Sequence, residues 1–470
     1  MSLSLRGQRL ALPCYEMDER QILITNIILY AAGVPVFIRR CGLVSLATMA
    51  WLLYLVCAIC SLLYFESPVY YLSFAAAEYI RADAMLFLLV MNFLLCYMLR
   101  LFSFPKADII HNYREDRCRR IQLVLTVVFA IIALLSLPGA LSNLMSGNLG
   151  ELRDATYEKG ASGLGGIMSF VQRLLGACVY LLLIFPAFNF FVRKKLTTLD
   201  KVSLAVFLAQ MVAIIGMAIS RAMMVTVALF VLSLFVMSYH YLNAKTVRWV
   251  MLASLPVMFI AVGVFSAITS ARFGASDADD TEEQFANIRY AGESMLNYTS
   301  MMYDQTYYPT EGYQQFLLFR KGLGMHYFGE SKSTDVDILN EYFDDAHPYP
   351  NYIFYTAAGN LYMEWGKWPP LIALVIINII IGVIRRREKR RREPVFNFFW
   401  YVLGAYLGYV VIYGIFYLEL SNEGGNMMWL ILPGLYLMLR GSNMLLDGTP
   451  LKPWDSRLGY RLRKSKRSQH

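Results

Sequence analysis

The amino-acid sequence predicts an all-α fold, a polytopic membrane bundle of about eleven transmembrane helices with a large, mostly helical loop on its outer face. Three observations predict it. Of 470 residues, 57% are hydrophobic and 16% charged, against about 25% charged in soluble domains, so polar side chains are too few to cover a water-soluble core. Mean hydropathy is +0.45, and it comes from uninterrupted apolar runs such as Gly42 to Phe65 and Val202 to Ile219. Each run is near the roughly 20 residues that cross about 30 Å of hydrocarbon as a helix. The runs show no period-two alternation, which excludes an outer-membrane barrel and leaves helices. A soluble enzyme is excluded too.

Taken in order, the expected spans are about 22–38, 42–64, 84–105, 121–145, 167–192, 202–219, 222–242, 249–270, 368–384, 395–416 and 427–441. Basic residues in the short connections set their direction, because Lys and Arg are retained on the cytoplasmic side. The anchors are the run Arg385 to Arg392, the triplet Arg193-Lys194-Lys195 and the cluster Arg114, Arg117, Arg119 and Arg120. Arg39-Arg40 and the tail with Arg461, Arg463, Lys464, Lys466 and Arg467 fall on the same side. The net charge of +9 is therefore explained by loop asymmetry, and nucleic acid is not expected as a partner. The chain divides into an N-terminal transmembrane part (1–270), an outer cap loop (271–352), C-terminal transmembrane helices (353–441) and a basic cytoplasmic tail (442–470).

Two outer loops stand out. Residues 146–166 are polar and turn-rich, with Arg153 and Tyr157 among them. Residues 271–352 hold fourteen acids, five bases and ten tyrosines, and such flat amphipathic rings suit sugar binding by stacking as well as packing at a membrane interface. Helices are expected near Thr281–Leu296 and Thr334–Phe343, the second with a capping-box-like Thr334 and Asp337. Asp335-Val336-Asp337 also has the form of a metal-holding D-x-D, but acids in a first helical turn are accounted for by the helix dipole. The piece Tyr70 to Ile80 is too short to span and is expected at the interface.

All seven cysteines lie in the first two-fifths of the chain, and the outer cap has none, so no disulfide framework is readable. Cys57-x-x-Cys60 sits inside an apolar run with no His or Cys partner nearby and reads as structural. Asp18, Glu19 and Arg20 precede the first apolar run and no small-x-small site follows it, so the first helix is expected to be retained. No P-loop, G-x-S-x-G, zinc-spacing or Rossmann pattern is present in the sequence.

Arginines near the outer rim carry the strongest chemical signal. Arg221 stands in a tight turn between two apolar runs, Arg173 near the outer end of the fifth span, Arg272 just after the eighth, and Arg153 in the first long outer loop. Positive charge on that side runs against the retention rule, and a guanidinium within the slab costs about 2.5–3.5 kcal/mol on insertion scales, so an anionic partner is expected for each. Guanidinium forks fit phosphate bidentately, and a lipid-linked diphosphate is an anion found at that depth.

Gly216-Met-Ala-Ile-Ser-Arg221, followed by an apolar helix, resembles the G-x-R signature of bacterial O-antigen and capsule polymerases of the Wzy type, which are distantly similar to O-antigen ligases. Pro350-Asn351-Tyr352-Ile-Phe354 leading to Gly359-Asn360-Leu-Tyr362-Met-Glu364-Trp365-Gly366 resembles their second signature, with Glu364 where the family usually has Asp. The resemblance implies a GT-C-like membrane enzyme of the bacterial inner membrane with its active site facing the periplasm. It implies metal-independent, inverting transfer of a growing chain from undecaprenyl diphosphate to the non-reducing end of a lipid-linked repeat, with no cofactor and with a chain-length regulator as a possible protein partner.

On this resemblance Arg221, and more loosely Arg153, Arg173 and Arg272, are expected to hold the diphosphate. Asn351, Tyr352, Asn360 and Tyr157 are expected to bind the sugars. A base must take the acceptor proton, and Glu364 is the first choice, because it matches the family's acid and precedes the helix break at Gly366-Lys367-Trp368-Pro369-Pro370. An interfacial acid paired with Lys367 is the plain alternative for Glu364, and His326 and His347 are further candidates for the base. The competing readings of the whole chain are a ligase with a different acceptor and a flippase or other transporter. Transporters place charges near the midplane on broken helices and often carry inverted repeats, neither of which the sequence displays.

Overall fold

The computed structural model describes residues 18–70, 77–145, 176–218, 221–250, 252, 280–303, 315–316, 355–389, 394–418, 420, 423–440, 443–445 and 450–451. Its architecture is a helical bundle in which, among the described residues, seven helices are long and apolar enough to cross a membrane. In order the helices are α1 (Glu19–Cys41), α2 (Leu46–Phe65), α3 (Ala82–Met98), α4 (Glu115–Met145), α5 (Leu181–Ala187), α6 (Thr198–Ala218), α7 (Arg221–Ser238), α8 (Asp280–Tyr303), α9 (Thr356–Trp365), α10 (Trp368–Lys389), α11 (Phe398–Tyr413), α12 (Glu423–Asn426) and α13 (Met428–Leu439). Of the expected span at 249–270 only residues 249, 250 and 252 are described, all helical, and the expected helix at Thr334–Phe343 lies outside the described residues. The 3₁₀ turn Ala77–Tyr79 falls in the piece expected at the interface.

The apolar runs become helices because a backbone in hydrocarbon must bond to itself. Their polar flanks decide where they begin. Ser45 Oγ accepts from Thr48 N–H at 3.2 Å to open α2, and Asn397 Oδ1 accepts from Trp400 N–H at 3.3 Å to open α11. Thr197 and Asp200 form a reciprocal capping box at α6, Thr197 N–H to Asp200 Oδ2 at 2.8 Å and Asp200 N–H to Thr197 Oγ1 at 3.2 Å. The described part of the fifth expected span, residues 176–192, is divided into a 3₁₀ turn (Gly176–Tyr180), α5 with Pro186 inside it, and a π turn (Phe188–Val192). Proline removes one ladder donor, and the next turn widens to accommodate the loss.

Lipid-facing and interior surfaces are inverted relative to a soluble protein. Leu134 is 73% exposed on α4 and Ile379 62% on α10, whereas Asn26, Asn92, Gln122, Asp200 and Gln210 are buried. Two close crossings set the helix spacing. A Cβ on Gly292 of α8 would meet the Cys60 backbone of α2 at 2.5 Å, and one on Gly216 of α6 would meet Ala140 O of α4 at 2.7 Å.

At one end, here named the basic end, short strands that the all-α expectation did not include join the loop after α3, the start of the span expected at 395–416 and the tail expected from 442. The strands are β1 (Ile109–His111), β2 (Val395–Asn397), β3 (Asn443–Leu445) and β4 (Pro450–Leu451), in the order β2-β1-β3-β4. β1 runs parallel to β2 with Ile110 opposite Phe396, and antiparallel to β3 with Ile110 opposite Met444. The same end holds Arg100, Arg114, Arg117, Arg193 and Arg385. Arg193 Nη2 bonds Glu115 Oε2 at 2.9 Å and its Nη1 bonds the Tyr113 hydroxyl at 3.0 Å, while Arg385 Nη1 donates to Ser103 O at 3.4 Å. The connections that the charge rule assigned to one side of the bilayer are therefore neighbours in space.

Candidate functional site

The opposite, far end of the bundle gathers α8, α9 and the turn after α11. Thr356 N–H donates to Phe416 O at 2.8 Å, Ala357 N–H to Gly414 O at 2.7 Å, and Ser294 Oγ to Ile415 O at 2.7 Å. Thr356 adopts a left-handed φ of 67°, a strained choice for a β-branched residue that these backbone bonds hold in place. α9 stops where predicted. Gly366, at φ 74°, returns its N–H to Tyr362 O at 2.7 Å, and α10 starts separately at Trp368.

Glu364 is fully buried in the last turn of α9. It is not an acid of the exposed interface. Lys367 carries its ammonium over the rings of Phe87 at 5.4 Å and Trp368 at 5.7 Å. Asn360, one turn before Glu364, accepts the Leu418 N–H on its Oδ1 at 2.8 Å. One lone pair of its carbonyl oxygen is thus committed to the fold and lost to the expected sugar-binding role.

α8, expected over Thr281–Leu296, continues to Tyr303 and is buried from residue 292 to 301. Arg289, Glu293, Asn297 and Ser300 recur at i, i+4, i+8 and i+11, one face of a helix. Glu293 pairs with Arg289 at 3.1 Å. Burial raises its carboxyl above the ordinary Glu range, against the opposing pull of the guanidinium and of Asn297. The buried Ser300 Oγ has no hydrogen-bond partner among the described residues. Tyr298 of α8 meets Tyr362 of α9 with ring centroids 6.2 Å apart, so the polar stripe belongs to the helix that packs on the one carrying Glu364. Sequence reading missed this stripe, although its period was visible.

The backbone of Arg221 opens α7, and its end of the bundle follows from the contacts of that helix. Ser238 Oγ at the other terminus bonds the Tyr401 hydroxyl at 2.9 Å, close to the strands of the basic end. Eighteen residues of helix, about 27 Å at 1.5 Å per residue, put residue 221 at the far end. The contacts of α6 agree, since Gln122 meets Asp200 near the basic end and Asn143 Nδ2 meets Gly216 O at 3.3 Å near the other. Arg221 and Glu364 thus lie on elements that reach the same end.

The other expected site residues, Arg153, Arg173, Arg272, His326, His347, Asn351, Tyr352 and Tyr157, lie outside the described residues, as do Asp335 and Asp337. Against models of known protein families, curated proteins and solved structures, the chain has no match.

Proposed function

We propose that the chain is a glycosyltransferase that polymerises lipid-linked oligosaccharide repeats of a bacterial surface polysaccharide, such as O-antigen or capsule, at the periplasmic face of the inner membrane in a GT-C-like bundle. The observation that carries this reading is the shared end of Arg221 and the fully buried Glu364, opposite the basic connections. Parts of both sequence signatures of the resembled polymerases, residues 216–218 with 221 and residues 359–366, lie on elements that reach that end.

The chemistry follows from the residues. The acceptor hydroxyl of a lipid-linked repeat attacks the anomeric carbon of the growing chain with inversion. The bond from that carbon to the undecaprenyl diphosphate breaks, and the diphosphate leaves with the electron pair. Glu364 takes the hydroxyl proton. Negative charge grows on the diphosphate, where Arg221, with Arg153, Arg173 and Arg272, supplies preplaced donors of the kind whose loss costs about 10²–10³ in rate. The full burial of Glu364 excludes water from the acid and keeps hydrolysis from competing with transfer.

The test in cells is deletion of the gene. Single repeats accumulating on the final acceptor support polymerisation. Long lipid-linked chains left untransferred indicate a ligase instead, and restoration of polymer by the Arg221→Ala variant would refute the assigned arginine role.

A further inference from the structure

A groove of about 570 Å³ runs between α11 and α13, within the roughly 300–1,000 Å³ range of small-ligand sites. Trp400, Leu403, Leu432 and Pro433 form its walls, Trp429 stands at one end, and Tyr436 stands near the other. α13 is on the perimeter of the bundle, with Trp429 46% and Leu437 68% exposed, so the groove is open to an apolar occupant arriving through the bilayer.

The two ends differ in chemistry. At the basic end Asn112 and Asn397 line the mouth, but Asn112 Nδ2 donates to Asn397 Oδ1 at 3.3 Å, and the same oxygen caps Trp400 N–H. Arg117 donates to the Met438 carbonyl close by. The polar groups there already serve the fold, which leaves that mouth poorly equipped for a headgroup. At the far end the Phe316 ring stacks on Trp429 at 6.1 Å and meets Trp365 edge-on at 6.5 Å. Trp365 Nε1 donates to Gln315 Oε1 at 3.1 Å. Trp365 is also the next residue after Glu364, so an aromatic bridge joins the end of the groove to the last turn of α9, which carries the candidate acid.

We infer that this groove holds the isoprenoid tail of the lipid-linked substrate, with the diphosphate at the Trp429 end and the first isoprene units descending along Leu432 and Leu403. The inference rests on the lipid-linked reading above for the identity of the head. Its recognition is apolar and aromatic, as the lining of the groove requires.

The test uses the purified full-length protein in nanodiscs of phosphatidylethanolamine and phosphatidylglycerol. One probe is a polyprenyl monophosphate with a diazirine in its first isoprene units, and the other is phosphatidylglycerol with the same group on an acyl chain. The polyprenyl probe is expected to label Trp429–Tyr436 and Phe399–Leu403, with label falling about tenfold under unlabelled polyprenyl phosphate and in Leu432→Trp. The competition needs no variant, so it decides the matter even if Leu432→Trp does not fold. Equal labelling of the groove by the phospholipid probe, or polyprenyl label only elsewhere, overturns the inference. A labelled groove in a protein that makes no polymer sinks the polymerase reading alone, and polymer formed with the groove unlabelled sinks the groove alone.

Discussion

Glu364 and Asp200 are both fully buried carboxylates, and their surroundings assign them different work. Asp200 accepts from Gln122, Asn189 and both the N–H and hydroxyl of Thr197, a set of donors that welds α4, α6 and the π turn. Asp200→Ala is expected to lower stability by about 1–3 kcal/mol for each donor left without an acceptor, read as a drop in thermal midpoint in detergent. Glu364→Gln keeps the shape of the side chain and is expected to leave that midpoint nearly unchanged while polymer formation falls about 10²-fold or more. A collapsed midpoint in Glu364→Gln would instead make the acid structural. Glu293 adds a pH dependence. Its carboxyl is raised by burial, so the folded chain binds its proton at a pH where the unfolded chain has already released it. Stability from this group therefore grows as pH falls through the raised value toward the ordinary Glu range and is lost as pH rises. Glu293→Gln should flatten that slope, and a slope that survives the substitution contradicts the assignment.

Among the elements, the long spans were legible because apolar length is a strong signal, and α1 to α4, α6, α7, α10 and α11 begin or end within a few residues of the expected limits. The break at Gly366 and the helix from Thr281 onward were legible too, the first from the Gly and Pro cluster, the second from its composition. The strands at the basic end were not, since two or three residues are too few to show an alternation, and their pairing is set by helix ends that sequence alone does not bring together. Nor was the burial of α8, whose mixed polar face reads as a surface helix until Gly292 is seen against Cys60. Of the candidate site, Glu364 was singled out from the motif around it, whereas its full burial was not legible. The commitment of Asn360 to Leu418 was not legible either, because that contact links residues 58 positions apart. The crossing at Gly292 predicts that Gly292→Ala destabilises by about 1–3 kcal/mol through overpacking. Gly434→Ala, where an added Cβ meets nothing within 4 Å, serves as the control and should be neutral or slightly stabilising in the same thermal measurement.

At the scale of the whole molecule, the account requires two chemically distinct ends. One carries the strands with Arg100, Arg114, Arg117, Arg193 and Arg385, and the other carries α8, α9 and the start of α7. In a cysteine-free background, Asp83→Cys is expected to react with a membrane-impermeant maleimide in intact cells whose outer membrane has been opened, and Lys106→Cys only after lysis. The reverse pattern would place Arg221 and Glu364 on the cytoplasmic side and remove the basis for a periplasmic reaction. The central claim is that preplaced guanidinium charge stabilises a departing lipid diphosphate while a buried acid takes the proton of the attacking hydroxyl. The direct measurement is the length distribution of product made by the purified protein from an undecaprenyl diphosphate-linked repeat, wild type beside Arg221→Ala. The account predicts a ladder of polymers from the wild type that Arg221→Ala reduces to the starting repeat; an undiminished ladder from Arg221→Ala, or none from a folded wild type, would contradict it.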